Sequence, residues 1–379
     1  MKPAKILHCA DLHFDTPFSG LTVNTAEKRR EDLRVTFGEI TRIAKDEQVD
    51  LLFICGDLFD NSNVYKTTLN YIIQKLNTIP KVRVFISPGN HDPYNERSYY
   101  NLVKWPENVH IFKMDIEKVV IPELETCIYG IGFSDIYQRT SLLQGFHVDD
   151  ENALNMMVLH GEVVTPGGTN PYNPITTEEI QNSGLDYLAL GHRHTFNGIM
   201  SVGSTHWAYA GNPEGRGFDE LGAKGVIIGS VAKRQCSLAF KEVSKRKYFC
   251  LEVDISGIKT NDEIRNLILH ETTIQQKHEN TANDLYKITL TGEVSKDFQL
   301  NLEVLSDKIK DEFFFVKLLD DTRAQVDWDA LEKEFSLKGL FIKKMRTKIA
   351  DAQGEERKKL EFALKLGLQA LDSGKVVIN

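Results

Sequence analysis

The segment VRVFISPGNHD, residues 82–92, joins an apolar run to three consecutive polar side chains. Four of its first five residues are apolar, which is typical of a buried strand. The strand pattern stops at a Pro-Gly pair, and Asn90, His91 and Asp92 follow. A hairpin would more often turn through Asn-Gly or Asp-Gly. The segment alone leaves two interpretations open: an unusual turn, or a strand that delivers polar side chains to a site.

Short apolar runs alternate with helical patterns through residues 1–230. Apolar side chains recur at helical spacing in residues 26–48 and 67–78, between the first three runs. Before a later run, Thr176 and Glu179 fit a capping box, and a glycine follows as a helix stop. This alternation predicts β-α-β units and therefore an α/β fold.

Five of the apolar runs end in carboxylate, amide or imidazole side chains. Because ligands bind at the carboxyl ends of strands in open α/β sheets, these ends are candidate site positions. They are Asp11 and His13 after ILHCA, Asp57 and Asp60 after LLFIC, Asn90 and His91 after VRVFI, His160 after MMVL, and His192 and His194 after YLAL. One such histidine alone would more often be structural, but five runs that all end this way are not expected by chance.

The donors in this set, without Asp60 and His91, number seven, which exceeds the four ligands of one zinc ion. They suit two ions that share one carboxylate, and Asp57, in the tightest strand-to-loop turn, is the predicted bridge. Nitrogen and oxygen donors without thiolate suit Mn, Fe or Zn. Two ions about 3.5–4 Å apart can hold a bridging water, lower its pKa and clamp a phosphoryl group. The sequence therefore predicts hydrolysis of a phosphoester.

The composition limits the class of protein. The 379 residues suffice for two or three domains, and 41% hydrophobic with 26% charged residues is typical of soluble globular proteins. The N-terminus lacks a signal-peptide pattern and no apolar run approaches the roughly 20 residues of a membrane span, so we expect a cytoplasmic protein without membrane contact. The five scattered cysteines argue against disulfides or a cysteine zinc site. The net charge of −8 does not favour DNA binding, so DNA contact would need a local basic patch, bound metal or a partner.

The pattern changes near residue 244, where a compact β-α-β-α-β pattern predicts a second, small α/β domain. From Asp329 the chain is helical and basic, with apolar residues at every fourth position: Leu337, Phe341, Met345 and Ile349. This stripe either packs against the small domain or docks a partner. The predicted domains are residues 1–243, which carry the chemistry, residues 244–326, which form the small α/β cap, and residues 327–379, which form the terminal helices.

The ordered motifs D-x-H, GD-x-x-D, GNHD, H-G and GHxH resemble those of the calcineurin-like metallophosphoesterase superfamily. Within it, ADLHFD (residues 10–15), GDLFD (56–60) and GNPEGRGFDE (211–220) resemble the SbcD-type DNA repair exonucleases of the YhaO-like bacterial branch. The resemblance covers residues 4–230. It implies a four-layer αββα sandwich, and a phosphodiesterase with exonuclease activity on DNA.

The resemblance also implies a role for each site residue. One ion, by this resemblance Mn²⁺, is held by Asp11, His13, Asp57 and His194, and a second by Asp57, Asn90, His160 and His192. His91 is then not a ligand: it faces the scissile phosphate and protonates the leaving oxygen. This role suits a side chain that titrates near neutral pH. Asp60 orients and charges the His91 imidazole through a hydrogen bond.

The implied partners are DNA and an SMC-like coiled-coil ATPase that docks on the C-terminal helices, while a homodimer stays open. Two alternatives stand beside the nuclease. One is a phosphoesterase that acts on nucleotides or other small phosphoesters, which the acidic charge favours slightly. The other is a scaffold subunit of the ATPase complex with little activity, which the complete set of donors argues against.

Overall fold

The computed structural model describes residues 2–61, 63–165, 167–276, 281–295, 298–325 and 328–373. Its strands are β1 (Ala4–Cys9), β2 (Leu51–Cys55), β3 (Arg83–Ser87), β4 (Val109–Ile111), β5 (Glu117–Ile121), β6 (Thr126–Gly130), β7 (Leu154–His160), β8 (Glu162–Val164), β9 (Pro174–Thr176), β10 (Tyr187–Gly191), β11 (Met200–Val202), β12 (Thr205–Tyr209), β13 (Gly225–Ala232), β14 (Gln235–Glu242), β15 (Tyr248–Asp254), β16 (Leu285–Thr291), β17 (Glu293–Val294), β18 (Phe315–Asp320) and β19 (Arg323–Ala324). Its α-helices are α1 (Val23–Asp46), α2 (Lys66–Asn77), α3 (Tyr99–Leu102), α4 (Thr177–Asn182), α5 (Asn261–Gln276), α6 (Leu302–Ile309), α7 (Trp328–Glu332), α8 (Leu337–Asp351) and α9 (Gly354–Ser373).

The first six-stranded sheet has the order β14-β13-β1-β2-β3-β4. Strands β1 to β4 are parallel, while β13 and β14 continue the sheet in antiparallel fashion. Every residue of β2 is buried because both faces of the sheet are covered, which explains its uninterrupted apolar sequence. Helices α1 and α2 pack on the outer face through residues such as Phe37 and Ile72.

The second six-stranded sheet has the order β11-β12-β10-β7-β6-β5 and lies against the first. One apolar core fills the space between the sheets and includes Phe53 and Phe85 from one side and Met156 and Tyr187 from the other. The outer face is covered by loops and by α4, which begins with the predicted capping box. The αββα sandwich is confirmed, with a thin fourth layer because α4 has six residues.

The parallel strands place their carboxyl ends at one edge of the sandwich. Within the first sheet, Asp11 N–H donates to the Gly56 carbonyl, which joins the turns after β1 and β2. Across the sheets, His160 Nδ1 lies 2.9 Å from the Cys55 carbonyl oxygen, which joins the ends of β7 and β2. The ends of β1, β2 and β7 therefore meet. Asp92 after β3 accepts the Asp57 N–H and the His192 N–H after β10 donates to Asp11, which brings the other two predicted strand ends to the same place.

Beyond residue 244, the predicted β-α-β-α-β pattern is present. Strands β15, β16 and β18 form a parallel sheet, and α5 and α6 bury Ile264 and Leu305 against it. The domain limits at 243/244 and 326/327 stay predictions, and residues 326–327 and 374–379 lie outside the described part of the chain.

The predicted terminal helices are α7, α8 and α9. Ile342 of α8 and Leu364 of α9 are buried, but Leu337, the first residue of the predicted apolar stripe, is 71% exposed. The stripe is therefore only partly covered. Among the described residues, no helix combines the length and apolar character that crossing a membrane requires.

Candidate metal centre

Four of the candidate ligands have a left-handed backbone conformation. The φ angles are 53° at Asp11, 45° at His13, 49° at Asp57 and 107° at His192. Few residues other than glycine adopt such angles, and each costs about 1–3 kcal/mol unless its surroundings impose it. Such strain concentrates at functional sites, so these strand ends are built to aim their side chains.

Glycines let the strand ends approach one another. A Cβ atom on Gly89 would lie 2.2 Å from Asp57 Oδ1, and one on Gly56 would lie 2.3 Å from His160 Nδ1. Gly56 also has a φ of 81°. Only a residue without a side chain fits at either position.

Asp92 ties the turn after β2 to the turn after β3. Its buried carboxylate accepts hydrogen bonds from the main-chain N–H of Gly89 (2.8 Å), Asp57 (3.2 Å) and Phe59 (3.0 Å). It also accepts one from the Tyr100 hydroxyl at 2.6 Å. Asp92 therefore fixes both turns, including the main chain of Asp57.

The first half of the site contains Asp11, His13 and His194, which form a cluster with metal-ligand spacing. The Nε2 atoms of His13 and His194 lie 3.3 Å apart, and Asp11 Oδ1 lies 4.0 Å from His194 Nε2. His194 Nδ1 lies 2.7 Å from Glu220 Oε1, so this nitrogen donates and Nε2 keeps its lone pair when the ring is neutral. The two Nε2 atoms and a carboxylate oxygen thus face one point.

The second half contains His160 and Asn90. Because His160 Nδ1 donates to the Cys55 carbonyl, the Nε2 lone pair faces Asn90 Oδ1 at 3.0 Å and Asp57 Oδ2 at 3.4 Å. The ring is fully buried. Three buried, electron-rich atoms that face one another are stabilised by a cation between them.

Asp57 joins the two halves. Its Oδ2 atom lies 3.7 Å from His13 Nε2 and 3.4 Å from His160 Nε2, while Oδ1 accepts the His91 main-chain N–H at 2.9 Å. A second cluster with metal-ligand spacing consists of Asp11, Asp57 and His160. Asp57 therefore lies between the two halves, and its role as the bridging ligand stays a prediction.

Burial sets the protonation states that suit a metal centre. It raises the pKa of Asp11 to about 7 and raises that of Asp57. It lowers the pKa of His160 and of His192 to about 4, and lowers that of His13 well below its usual value. Burial also lowers the pKa of His194, but the Glu220 hydrogen bond and the Asp11 charge outweigh it and raise that pKa. A divalent cation binds neutral imidazoles, and its charge offsets the free-energy cost of burying ionised carboxylates. The nitrogen and oxygen donors present fit such an ion.

His192 lies beside the second half. Its main-chain N–H donates to Asp11 at 3.1 Å, its ring is 5.2 Å from the His160 ring, and Nε2 is 3.7 Å from Glu162 Oε2. None of the clusters with metal-ligand spacing includes it. Its role as a ligand stays a prediction, as do the roles of the other six.

The contact between Asp60 and His91 differs from the predicted one. His91 Nδ1 lies 2.8 Å from the main-chain oxygen of Asp60, so the ring donates to a carbonyl. The Asp60 carboxylate instead lies 3.2 Å from His13 Nδ1 and 3.3 Å from Arg216 Nη1. The prediction that this carboxylate charges the His91 ring is therefore wrong, because the carboxylate contacts His13 and Arg216 instead. The cluster of His13, Asp60 and His91 also has metal-ligand spacing.

Sequence reasoning missed Glu220, Arg216 and Glu162. Burial raises the pKa of Glu220, but the His194 hydrogen bond and the Arg216 charge outweigh it and hold the pKa well below its usual value. Glu162 pairs with Arg193 and approaches His192. Glu220 and Arg216 belong to the segment GNPEGRGFDELGAKG, residues 211–225, where carboxylates and an arginine in a glycine-rich loop were the available signal.

The fold and these clusters are those of a metal-dependent phosphoesterase. A family model described as calcineurin-like phosphoesterase matches residues 4–196, more than half of the 379 residues, so the chain belongs to that family. The predictions of the superfamily and of a metal-dependent phosphodiesterase are confirmed.

Three relatives are similar along much of the chain. The uncharacterized metallophosphoesterase YhaO of Bacillus subtilis (strain 168) is 26% identical over 375 residues, 93% of this chain and 90% of the relative. The DNA double-strand break repair protein Mre11 of Saccharolobus solfataricus is 24% identical, over 85% of this chain and 83% of the relative. A subunit of the nuclease SbcCD of Staphylococcus epidermidis is 23% identical, over 61% of this chain and 67% of the relative.

Proposed function

We propose that the chain is a Mn²⁺-dependent DNA exo- or endonuclease that acts in DNA repair in the cytoplasm. The observation that carries the proposal is the position of Asp57 Oδ2, within 4 Å of a ring nitrogen of both His13 and His160. One carboxylate oxygen between two groups of donors is the arrangement that a pair of metal ions requires. Mn²⁺ suits the mixed nitrogen and oxygen donors.

Each half of the site has a set of side chains to hold one ion, with Asp57 common to both. They are Asp11, His13 and His194 in the first half, and Asn90, His160 and His192 in the second. When bound, the ions supply a water of lowered pKa and positive charge at the phosphoryl oxygens.

His91 supplies the proton for the leaving oxygen. Its side chain is exposed, and its main-chain N–H is held by Asp57 Oδ1. Because Nδ1 donates to the Asp60 carbonyl, the imidazolium form carries its second proton on Nε2, which is free to face a substrate. The carbonyl fixes the ring orientation, so the proton on Nε2 is the one that this side chain donates as a general acid.

The names of two relatives support DNA as the substrate. One is named a DNA double-strand break repair protein, and the other a subunit of a nuclease. We include in the proposal an SMC-like ATPase partner that docks on α8 and α9. The exposed apolar side chains of Leu337, Leu340 and Phe362 on these helices support a docking role. Co-elution of the chain with such an ATPase from the same cell, followed on gel filtration, tests it.

A second candidate is a phosphoesterase for nucleotides. A cavity of about 570 Å³ opens beside Asn90 and His91, with Arg97, Tyr99 and Tyr172 among its lining residues. Its volume lies within the range of about 300–1,000 Å³ that is usual for small-molecule sites. Aromatic rings and an arginine suit a nucleobase and a phosphate.

One experiment separates the candidates. Purified chain is incubated with Mn²⁺ and end-labelled single-stranded or duplex DNA, beside a panel of nucleotides, as wild type and as His91→Ala. We expect DNA cleavage that falls about 10²–10⁴-fold in the variant, the usual contribution of a general acid. Turnover of nucleotides alone would support the second candidate, and two bound metals without turnover would support a scaffold subunit.

A further inference from the structure

Arg216 lies in the loop between β12 and β13, residues 210–224, and its guanidinium contacts two carboxylates at once. Nη1 is 3.3 Å from Asp60 Oδ1, and Nη2 and Nε are 3.1 Å and 3.2 Å from Glu220 Oε1. The side chain is 21% exposed. One planar cation therefore bridges two acidic side chains that are distant in sequence.

Each of these carboxylates contacts a histidine of the first half of the site. Asp60 Oδ1 lies 3.2 Å from His13 Nδ1, and Glu220 Oε1 lies 2.7 Å from His194 Nδ1. The opposite nitrogens of the two rings are the pair that lies 3.3 Å apart. Arg216 is thus connected to His13 through Asp60. It is connected to His194 through Glu220 and also directly, since Arg216 Nη2 lies 3.0 Å from His194 Nδ1.

We propose that Arg216 is a positioning residue for the first half of the metal centre, acting through Asp60 and Glu220 on His13 and His194. The proposal rests on the proposed metal centre. At His194, Glu220 accepts from the outer ring nitrogen, and such a carboxylate fixes the tautomer and the ring plane of a ligating histidine. At His13, Asp60 Oδ1 lies 3.2 Å from Nδ1 without hydrogen-bond geometry, so Asp60 acts there through its charge. Arginine suits this position because its fixed fork can hold two carboxylates, whereas the single ammonium of lysine is a point charge.

The loop holds the guanidinium in place. The Arg216 N–H donates to Glu220 Oε2 at 2.8 Å, and its carbonyl accepts from the Tyr248 hydroxyl at 3.3 Å. Two residues earlier, Glu214 forms a fully buried ion pair with Arg29 at 2.7 Å. Because the loop is anchored on both sides, the position of Arg216 is set before any substrate arrives.

The test compares Arg216→Gln and Arg216→Lys with wild type in the full chain. The matched control is Arg265→Gln, which removes a partly exposed arginine that holds one carboxylate, Glu312, in the small α/β unit. Mn²⁺ binding is measured by titration calorimetry and by electron paramagnetic resonance of the free ion. Hydrolysis of bis(p-nitrophenyl) phosphate is measured at increasing Mn²⁺ concentrations.

We expect wild type and the control to bind two ions with the same affinities. In Arg216→Gln one of the two sites should lose about 10–100-fold in affinity, the usual effect of removing such a partner of a ligand, while the other is retained. In Arg216→Lys the Mn²⁺ affinity of that site should lie between the wild-type and Arg216→Gln values, because lysine keeps the positive charge but cannot bridge the two carboxylates. Activity of both variants should recover at high Mn²⁺, with an unchanged KM for the phosphodiester.

Four outcomes would overturn the inference, and they differ from one another. Unchanged Mn²⁺ affinities in both variants would show that Arg216 does not position the ligands. A raised KM at saturating Mn²⁺ would show a direct contact with substrate. Equal loss at both sites together with a lower unfolding midpoint, in Arg216→Lys as well as Arg216→Gln, would show a structural role. A wild-type chain that binds no Mn²⁺ would remove the proposed function together with the inference.

Discussion

At the residue scale, Asp57 is constrained from three directions. Its backbone is left-handed, Oδ1 accepts the His91 N–H, and Oδ2 lies between His13 and His160. Its main-chain N–H is held by Asp92. The Asp57 side chain therefore cannot move aside without strain when a substitution adds a methyl group to a neighbouring residue, because protein interiors are closely packed.

The nearest such neighbour is Gly89, and this gives a prediction. In Gly89→Ala the new Cβ would lie 2.2 Å from Asp57 Oδ1, so the carboxylate must move away from the point between the two histidines. We expect phosphodiesterase activity to fall by about 10²-fold or more, because misplacement of about 1 Å at a site costs that much. The rate on bis(p-nitrophenyl) phosphate with Mn²⁺ measures it.

The control for Gly89→Ala is Gly145→Ala. Gly145 has a φ of 70°, and a Cβ there meets no atom within 4 Å. This variant should lose about 1 kcal/mol of stability from backbone strain and keep its activity. An active Gly89→Ala enzyme would show that the position of Asp57 is not critical.

At the same scale, the sequence predicted which residues meet but not which atoms they use. The order of motifs was sufficient to bring Asp60 close to His91. Whether its carbonyl or its carboxylate makes the contact depends on the turn geometry and on Arg216, which comes from a loop 156 residues later. No local pattern contains that information.

At the scale of elements, the loop of residues 210–224 connects the site to α1 and to the start of β15. Glu214 accepts from Arg29 of α1 at 2.7 Å and from the Thr36 hydroxyl at 2.7 Å. It also accepts the Lys245 main-chain N–H. The two ionic side chains, Arg29 and Glu214, are at most 1% exposed. A buried pair of this kind is costly to break, since the remaining charge is left uncompensated.

Glu214→Gln is therefore predicted to destabilise the chain by about 3 kcal/mol, near the lower end of the range for breaking a buried pair because Asp32 still neutralises part of the Arg29 charge. Urea unfolding followed by circular dichroism measures the difference. The control is Glu39→Gln, which removes the Arg42 partner on the exposed face of the same helix and should leave the midpoint unchanged. Equal midpoints for wild type and Glu214→Gln would contradict the prediction.

The elements themselves followed closely from the pattern of apolar residues. The helices predicted at residues 26–48 and 67–78 are α1, Val23–Asp46, and α2, Lys66–Asn77. The thin fourth layer could not be predicted, because loops that cover a sheet carry no periodicity. The partial exposure of the apolar stripe that begins at Leu337 could not be predicted either. The spacing of apolar residues identifies an apolar helix face but does not say what packs against it.

At the scale of the whole molecule, an acidic chain concentrates carboxylates and neutral imidazoles at one edge of a sandwich. The net charge is −8, and burial raises the pKa of Asp11 and Asp57 by more than the nearby histidines lower it. Without metal, the folded chain therefore carries the free-energy cost of burying these carboxylates at the edge of the sandwich. The division of residues 244–379 from the rest stays a prediction, since it depends on packing between units rather than on motifs.

Metal removal tests this view of the whole molecule. With each ion at 100 times its Kd, binding should add about 2.7 kcal/mol per site to the free energy of unfolding, because the folded chain binds the ion and the unfolded chain does not. The urea midpoint should therefore be higher in Mn²⁺ than in EDTA.

The control is Asp57→Asn. Asparagine keeps the shape of the side chain but removes the negative charge that both halves of the site face. Most of the Mn²⁺-dependent rise in the urea midpoint should therefore disappear in this variant. An equal rise in this variant would mean that Mn²⁺ stabilises the chain elsewhere, and no rise in wild type would mean that the edge of the sandwich does not hold the ion.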